Sequence, residues 1–103
     1  MAAKQAAEKF ISENAIAVFS KSYCPYCRRA KSVISDLKVD QKKVGVMELD
    51  EVSNGSDIQN YLLEKTGQRT VPNIFISGKQ LGGCDALLSA QSSGELDKLV
   101  ASL

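Results

Sequence analysis

Read by the spacing of its apolar residues, the chain divides into alternating helical and extended segments. Ala3, Ala6, Ala7 and Phe10 form one stripe with Lys4, Glu8 and Glu13 outside it, which predicts a short amphipathic helix closing near Asn14. Ala15 to Phe19 is apolar at successive positions, the pattern of a strand covered on both faces. Ala30, Val33, Ile34 and Leu37 then recur at i, i+3, i+4 and i+7, with Arg28, Arg29, Lys31 and Asp36 opposite, so a second helix runs to about Leu37. Asp40 to Lys43 reads as a solvated connection, and Val44 to Leu49, carrying Val44, Val46, Met47 and Leu49, as a second strand. A strand, a helix and a strand at this spacing form a βαβ unit, which predicts a parallel pair.

Asp50 to Gly55 is a polar loop. Ser56 and Gln59 match a capping box, and Ile58, Tyr61, Leu62 and Lys65 continue that helix to a stop at Gly67. Ile74-Phe75-Ile76 and Gln80-Leu81 flank Ser77-Gly78-Lys79, a hairpin signal. Gly82-Gly83-Cys84-Asp85 leads into the helical Ala86-Leu87-Leu88. Ser92-Ser93-Gly94 interrupts that helix, and Ser93 is placed to cap a last one with the stripe Leu96, Leu99, Val100 and Leu103. The order is helix, βαβ, helix, ββ, helix: an α/β domain with a four-stranded mixed sheet. Phe10, Phe19 and Phe75 read as core.

Composition narrows the picture without changing it. The 103 residues suit one domain, residues 1–103, with a core of ordinary size. A net charge of +1 gives no reason to expect nucleic acid or a membrane surface as partner, and no apolar run approaches the ~18 residues of a membrane span. The opening Met1-Ala2-Ala3-Lys4-Gln5 has neither a hydrophobic core nor Arg-rich transit character, so a cytoplasmic protein is expected. Cysteine and histidine counts say more. With no histidine, imidazole base catalysis and His-containing zinc sites are excluded, and three cysteines fall one short of a four-thiolate zinc site. No metal site is expected.

The chemistry concentrates in Lys21-Ser22-Tyr23-Cys24-Pro25-Tyr26-Cys27, where the first strand gives way to the second helix. Pro25 suits the first helical position, since its φ is already helical and its missing N–H had no partner there. Cys24 then falls at the N-cap and Cys27 one turn on, close enough to bond to it. First-turn N–H groups and the helix dipole favour thiolate over thiol, and Lys21 and Arg28 can each add favourable charge. A free cysteine titrates near ~8.5, and such sites lower that by roughly one to five units. Cys24 is the predicted nucleophile and Cys27 the resolving thiol of a dithiol–disulfide couple.

This motif, Thr70-Val71-Pro72 and Gly82-Gly83-Cys84-Asp85, in this order and spacing, resemble those of a dithiol glutaredoxin on the thioredoxin fold. The similarity covers essentially the whole chain, and Pro-Tyr between the cysteines is the glutaredoxin spelling. The resemblance implies a thioredoxin-like α/β fold, its four-stranded sheet flanked by about five helices. It implies a monomeric glutathione:disulfide oxidoreductase with glutathione as co-substrate and no tightly bound cofactor. Its partners would be glutathionylated proteins and disulfide substrates, the former served by Cys24 alone and the latter with Cys27 resolving.

By the same resemblance the Val71–Pro72 bond is cis and the Val71 backbone pairs with the cysteinyl backbone of glutathione. The N–H groups at Cys84 and Asp85 would meet the γ-glutamyl carboxylate, with Gly82 and Gly83 allowing close approach and Asp85 holding the ammonium. Lys21, Gln59 and Arg69 would surround the glycine carboxylate, and Tyr26 would wall the groove. Plainer roles stand beside these. Cys84 reads first as a small buried hydrophobe, Gln59 equally as half of the capping box, Lys21 and Arg69 as solvated charges, and Thr70 as a turn-former. Many family members carry a second polar residue, often Asp, where this chain has Ala86; the γ-glutamyl end is expected to be held less tightly here. Two rival functions remain: a dimeric iron–sulfur cluster carrier using Cys24 and glutathione, and a thioredoxin-like reductase fed by a flavoprotein.

Overall fold

The computed structural model describes residues 2–103; Met1, and with it the first residue of the opening segment weighed above, lies outside the described residues. In chain order the elements are α1 (Ala2–Glu13), β1 (Ile16–Ser20), α2 (Pro25–Ser35), β2 (Val44–Glu48), α3 (Gly55–Thr66), β3 (Asn73–Ile76), β4 (Lys79–Gly82), α4 (Cys84–Ser93) and α5 (Glu95–Val100), with a single 3₁₀ turn at Gln41–Lys43 leading into β2. The sheet runs β2-β1-β3-β4. β1 and β2 are parallel, with Val18 opposite Val46, and the other pairs are antiparallel.

Alternation along β1 explains the layers. Ile16 and Val18 point to one face and join Ile74 and Ile76 against Ala30 and Ile34 of α2, Leu87 and Ala90 of α4, and Leu96 and Val100 of α5. Ala17 and Phe19 point to the other, where they join Phe75 against Ala3, Ala7 and Ile11 of α1 and Ile58 and Leu62 of α3. Phe19 sits edge-on between Phe10 and Phe75, with ring centroids 5.2 and 5.8 Å away. All five β1 residues are buried, so the strand leading to the cysteines is covered on both sides.

Three local expectations are corrected. The first concerns the capping box: α3 begins at Gly55 behind Asn54, which makes no side-chain cap bond, and Ser56 lies inside the helix. Gln59 is only 6% exposed and turns inward, where its amide donates to the Arg69 carbonyl at 2.8 Å; burial decides its partner. Second, α2 ends at Ser35, before Leu37, with Asp36 as its cap. Third, Lys79 belongs to β4, because Ser77 and Gly78, with φ of 52° and 81°, supply the whole hairpin turn. That pair of positive values suits the right-handed twist of the flanking strands.

Candidate active site

Cys24 is the N-cap of α2 and Pro25 its first residue. The Cys24 N–H donates to the Lys21 carbonyl at 3.1 Å, closing the turn between β1 and α2, and the Arg28 N–H donates to the Cys24 carbonyl at 3.1 Å. The Cys24 Sγ accepts the Cys27 N–H at 3.4 Å. Asp50, just past β2, grips the same turn from outside: its Oδ1 accepts the Ser22 N–H at 2.9 Å and its Oδ2 accepts the Ser22 hydroxyl.

The two thiols are free and differ in environment: Cys24 is half-buried and Cys27 fully buried. Partial burial works against ionisation of Cys24, but the Cys27 N–H, the Cys27 thiol, the Tyr26 N–H and the Arg28 charge together outweigh it and lower its pKa. Burial pushes the Cys27 thiol up, assisted by the Cys24 sulfur, which accepts its hydrogen bond. Cys24 is therefore the more readily ionised sulfur and Cys27 the less.

A groove of about 540 Å³ lies alongside. Tyr26, from the first turn of α2, forms one wall; Gln68, Thr70, Val71 and Pro72 form another; Gly82, Gly83, Cys84, Asp85 and Ala86, at the start of α4, form the third. The Val71–Pro72 bond is cis. Close approach requires the glycines: a Cβ on Gly83, the N-cap of α4, would lie 3.3 Å from the Pro72 carbonyl oxygen, and Gly82 has a φ of 128°.

Of the residues singled out from sequence, the fold gathers Tyr26, Thr70, Val71, Pro72, Gly83, Cys84 and Asp85 around this groove. Lys21, Gln59 and Arg69 are not among its walls. Lys21 lies in the turn before Cys24, Gln59 is committed to the Arg69 carbonyl, and the Arg69 Nε donates to Asn60 Oδ1 at 3.0 Å. Cys84 is buried as well as groove-lining. Asp50 and Gln68 carry no motif that marks them in the sequence as site residues. A polar side chain between the helix stop Gly67 and Thr70-Val71-Pro72 was the available signal for Gln68.

A Cys-x-x-Cys pair opening a helix, its intervening Tyr26 sharing a groove with a cis-proline on this mixed sheet, defines a dithiol redox protein of the thioredoxin fold. Residues 16–81 match the family described as Glutaredoxin. The chain is 52% identical to Glutaredoxin-1 of Rhizophagus irregularis over 100 residues, covering 97% of this chain and 96% of that relative. It is 47% identical to Glutaredoxin-C2 of Arabidopsis thaliana, covering 95% and 86% of the two chains. Among solved structures, the holo form of glutaredoxin C1 from Populus tremula x tremuloides superposes with a TM-score of 0.92 at 41% identity, covering 99% and 98% of the two chains. A buckwheat glutaredoxin–glutathione complex also gives 0.92, at 42% identity over 98% and 89%. The chain belongs to the glutaredoxin family, and its activity is that of a glutathione-dependent thiol–disulfide oxidoreductase.

Proposed function

We propose that Cys24 reduces protein–glutathione mixed disulfides by itself and protein or small-molecule disulfides with Cys27. In the first route the Cys24 thiolate attacks the glutathionyl sulfur. The old S–S bond breaks, the protein leaves as a thiolate that takes up a proton, and Cys24 keeps the glutathionyl group. A second glutathione, as thiolate, attacks that group, releasing glutathione disulfide and restoring the Cys24 thiolate. In the second route the Cys24 thiolate attacks one sulfur of the substrate disulfide, breaking that S–S bond and releasing the other sulfur as a thiolate that takes up a proton. Cys27 then loses its proton and attacks Cys24 Sγ, freeing the substrate thiol and forming a Cys24–Cys27 bond, which two glutathione molecules reduce.

One observation carries this division of labour: the partly exposed Cys24 accepts the Cys27 N–H on its sulfur at the start of α2, while Cys27 is fully buried. Attack needs an accessible thiolate, and resolution needs only reach. For glutathione itself, the groove sets the backbone of Val71 beside the start of α4, where the N–H groups of Cys84 and Asp85 suit a carboxylate and Asp85 suits an ammonium. Tyr26, Thr70, Pro72 and Gly83 complete the contact surface. Lys21 and Arg69 are the cations proposed for the glycine carboxylate, and Gln59 serves them by fixing the Arg69 backbone. The buckwheat complex with glutathione supports the reading.

The test uses two variants. C24S is expected to abolish all turnover. C27S is expected to retain deglutathionylation of a glutathionylated peptide, within about threefold, while losing reduction of a protein disulfide. Equal loss in both assays from both variants would reverse the assignment.

A further inference from the structure

The cis-proline loop is tied down by a side chain that the mechanism above does not use. The Gln68 Nε2 donates to the Thr70 carbonyl at 3.1 Å and to the Pro72 carbonyl at 3.1 Å. Its Oε1 accepts from Gln80 Nε2 at 3.2 Å, and that nitrogen also donates to Asn73 Oδ1 at 3.0 Å. The Gln68 backbone is held too, its N–H donating to Thr66 Oγ1 at 3.1 Å, while that hydroxyl donates to the Leu62 carbonyl at 2.7 Å. The direction of the network follows from chemistry. Backbone carbonyls only accept, so the Gln68 NH₂ must face the loop and its oxygen must face the Gln80 donor.

The two carbonyls that Gln68 engages belong to the residues on either side of Val71. The Pro72 carbonyl is also the one against which Gly83 packs. A single planar amide therefore reaches both the loop and the point where the loop meets the N-cap of α4. Glutamine is suited to this in a way that its isosteres are not: two donors and one acceptor are all used, whereas a glutamate carboxylate has no donor for either carbonyl.

We propose that Gln68 is a positioning residue that sets the spacing between two of the groove's three walls, the cis-proline loop and the start of α4, and so governs affinity for the glutathionyl group and not the chemistry at Cys24. This rests on the groove being the glutathione site. Its test compares the wild type with Q68A, Q68E and Q80A, using the mixed disulfide of cysteine and glutathione as substrate. KM, kcat, the pH midpoint of Cys24 alkylation and the thermal midpoint are read together. Q68A and Q68E are expected to raise KM about five- to tenfold, the worth of about one neutral hydrogen bond, with kcat within about twofold and the alkylation midpoint unmoved. Q80A, which removes only the outer donor, is expected to raise KM about twofold.

An unchanged KM in both Q68E and Q80A overturns the proposal, whether or not Q68A folds. So does a loss confined to kcat, or a KM change accompanied by a shifted alkylation midpoint. Failure of the underlying reading looks different, because the wild type itself would then show no preference for the glutathionyl disulfide over cystine.

Discussion

Cys24 and Cys27 carry the same functional group, and their surroundings alone set them apart in ease of ionisation. Cys24 gains from donors that converge on its sulfur and from Arg28, whereas Cys27 has no solvent face. Alkylation of the reduced protein is therefore expected to follow Cys24 with a midpoint below the ~8.5 of a free thiol, the rate rising as pH passes through it. R28A removes a stabilising charge and C27A a stabilising thiol, so each is expected to move that midpoint upward; mass-resolved iodoacetamide kinetics would check both. A midpoint unmoved by either change would show that the helix terminus acts alone. Much of this was legible in the sequence because it is local: Cys24, Pro25 and Cys27 set the cap, the first helical residue and the next turn within four positions. The Asp50 grip on Ser22 was not, since it joins residues 28 apart and depends on β1 and β2 lying side by side.

The elements were readable where one periodicity dominated and misread where a partner from elsewhere in the chain intervened. β1 announced itself by unbroken apolarity, and α2 by its stripe. The start of α3 did not, because a glycine in the first turn argues against a helix on propensity alone. Its reason is spatial: a Cβ on Gly55 would sit 1.8 Å from the Leu49 carbonyl oxygen, so glycine lets α3 start directly against the end of β2. The neighbour is backbone and cannot swing aside. G55A is accordingly expected to lower the thermal midpoint by about 10 °C or more, as overpacking in a domain of this size implies. Calorimetry would check it, and a loss of less than a few degrees would mean the β2–α3 junction can yield. The groove was legible in outline through Thr70-Val71-Pro72 and Gly82-Gly83-Cys84-Asp85. Its bracing by Gln68 and Gln80 was hidden, because amide pairings between a loop and a neighbouring strand leave no periodic trace.

Across the whole molecule, the sheet holds two apolar layers, and the helices of the layer away from α2 are locked by charge as well as packing. Glu8 of α1 accepts from Tyr61 of α3 and pairs with Lys65 at 2.8 Å. Lys65 and then Tyr61 hold the Glu8 carboxyl below its ordinary 4.5, and Glu8 in turn pushes the Tyr61 phenol up to about 12. A depressed carboxylate contributes stability that is present above its unfolded value and lost as pH falls through its folded one. E8Q is thus expected to melt about 2–4 °C below wild type at neutral pH, the scale of a solvent-screened pair, with the gap closing below pH 4.5. A gap that persists in acid would assign the effect to packing. The enclosure of Cys27 reaches further than its part in any one turnover. A sulfur with no outer surface is invisible to peroxides and alkylating agents in bulk solvent, and meets only what its neighbour has already captured covalently. On the proposed two-cysteine route the pair would act as a valve: oxidising equivalents enter at one atom and pass inward through it, so the second thiol stays in reserve until an adduct stalls at the mouth.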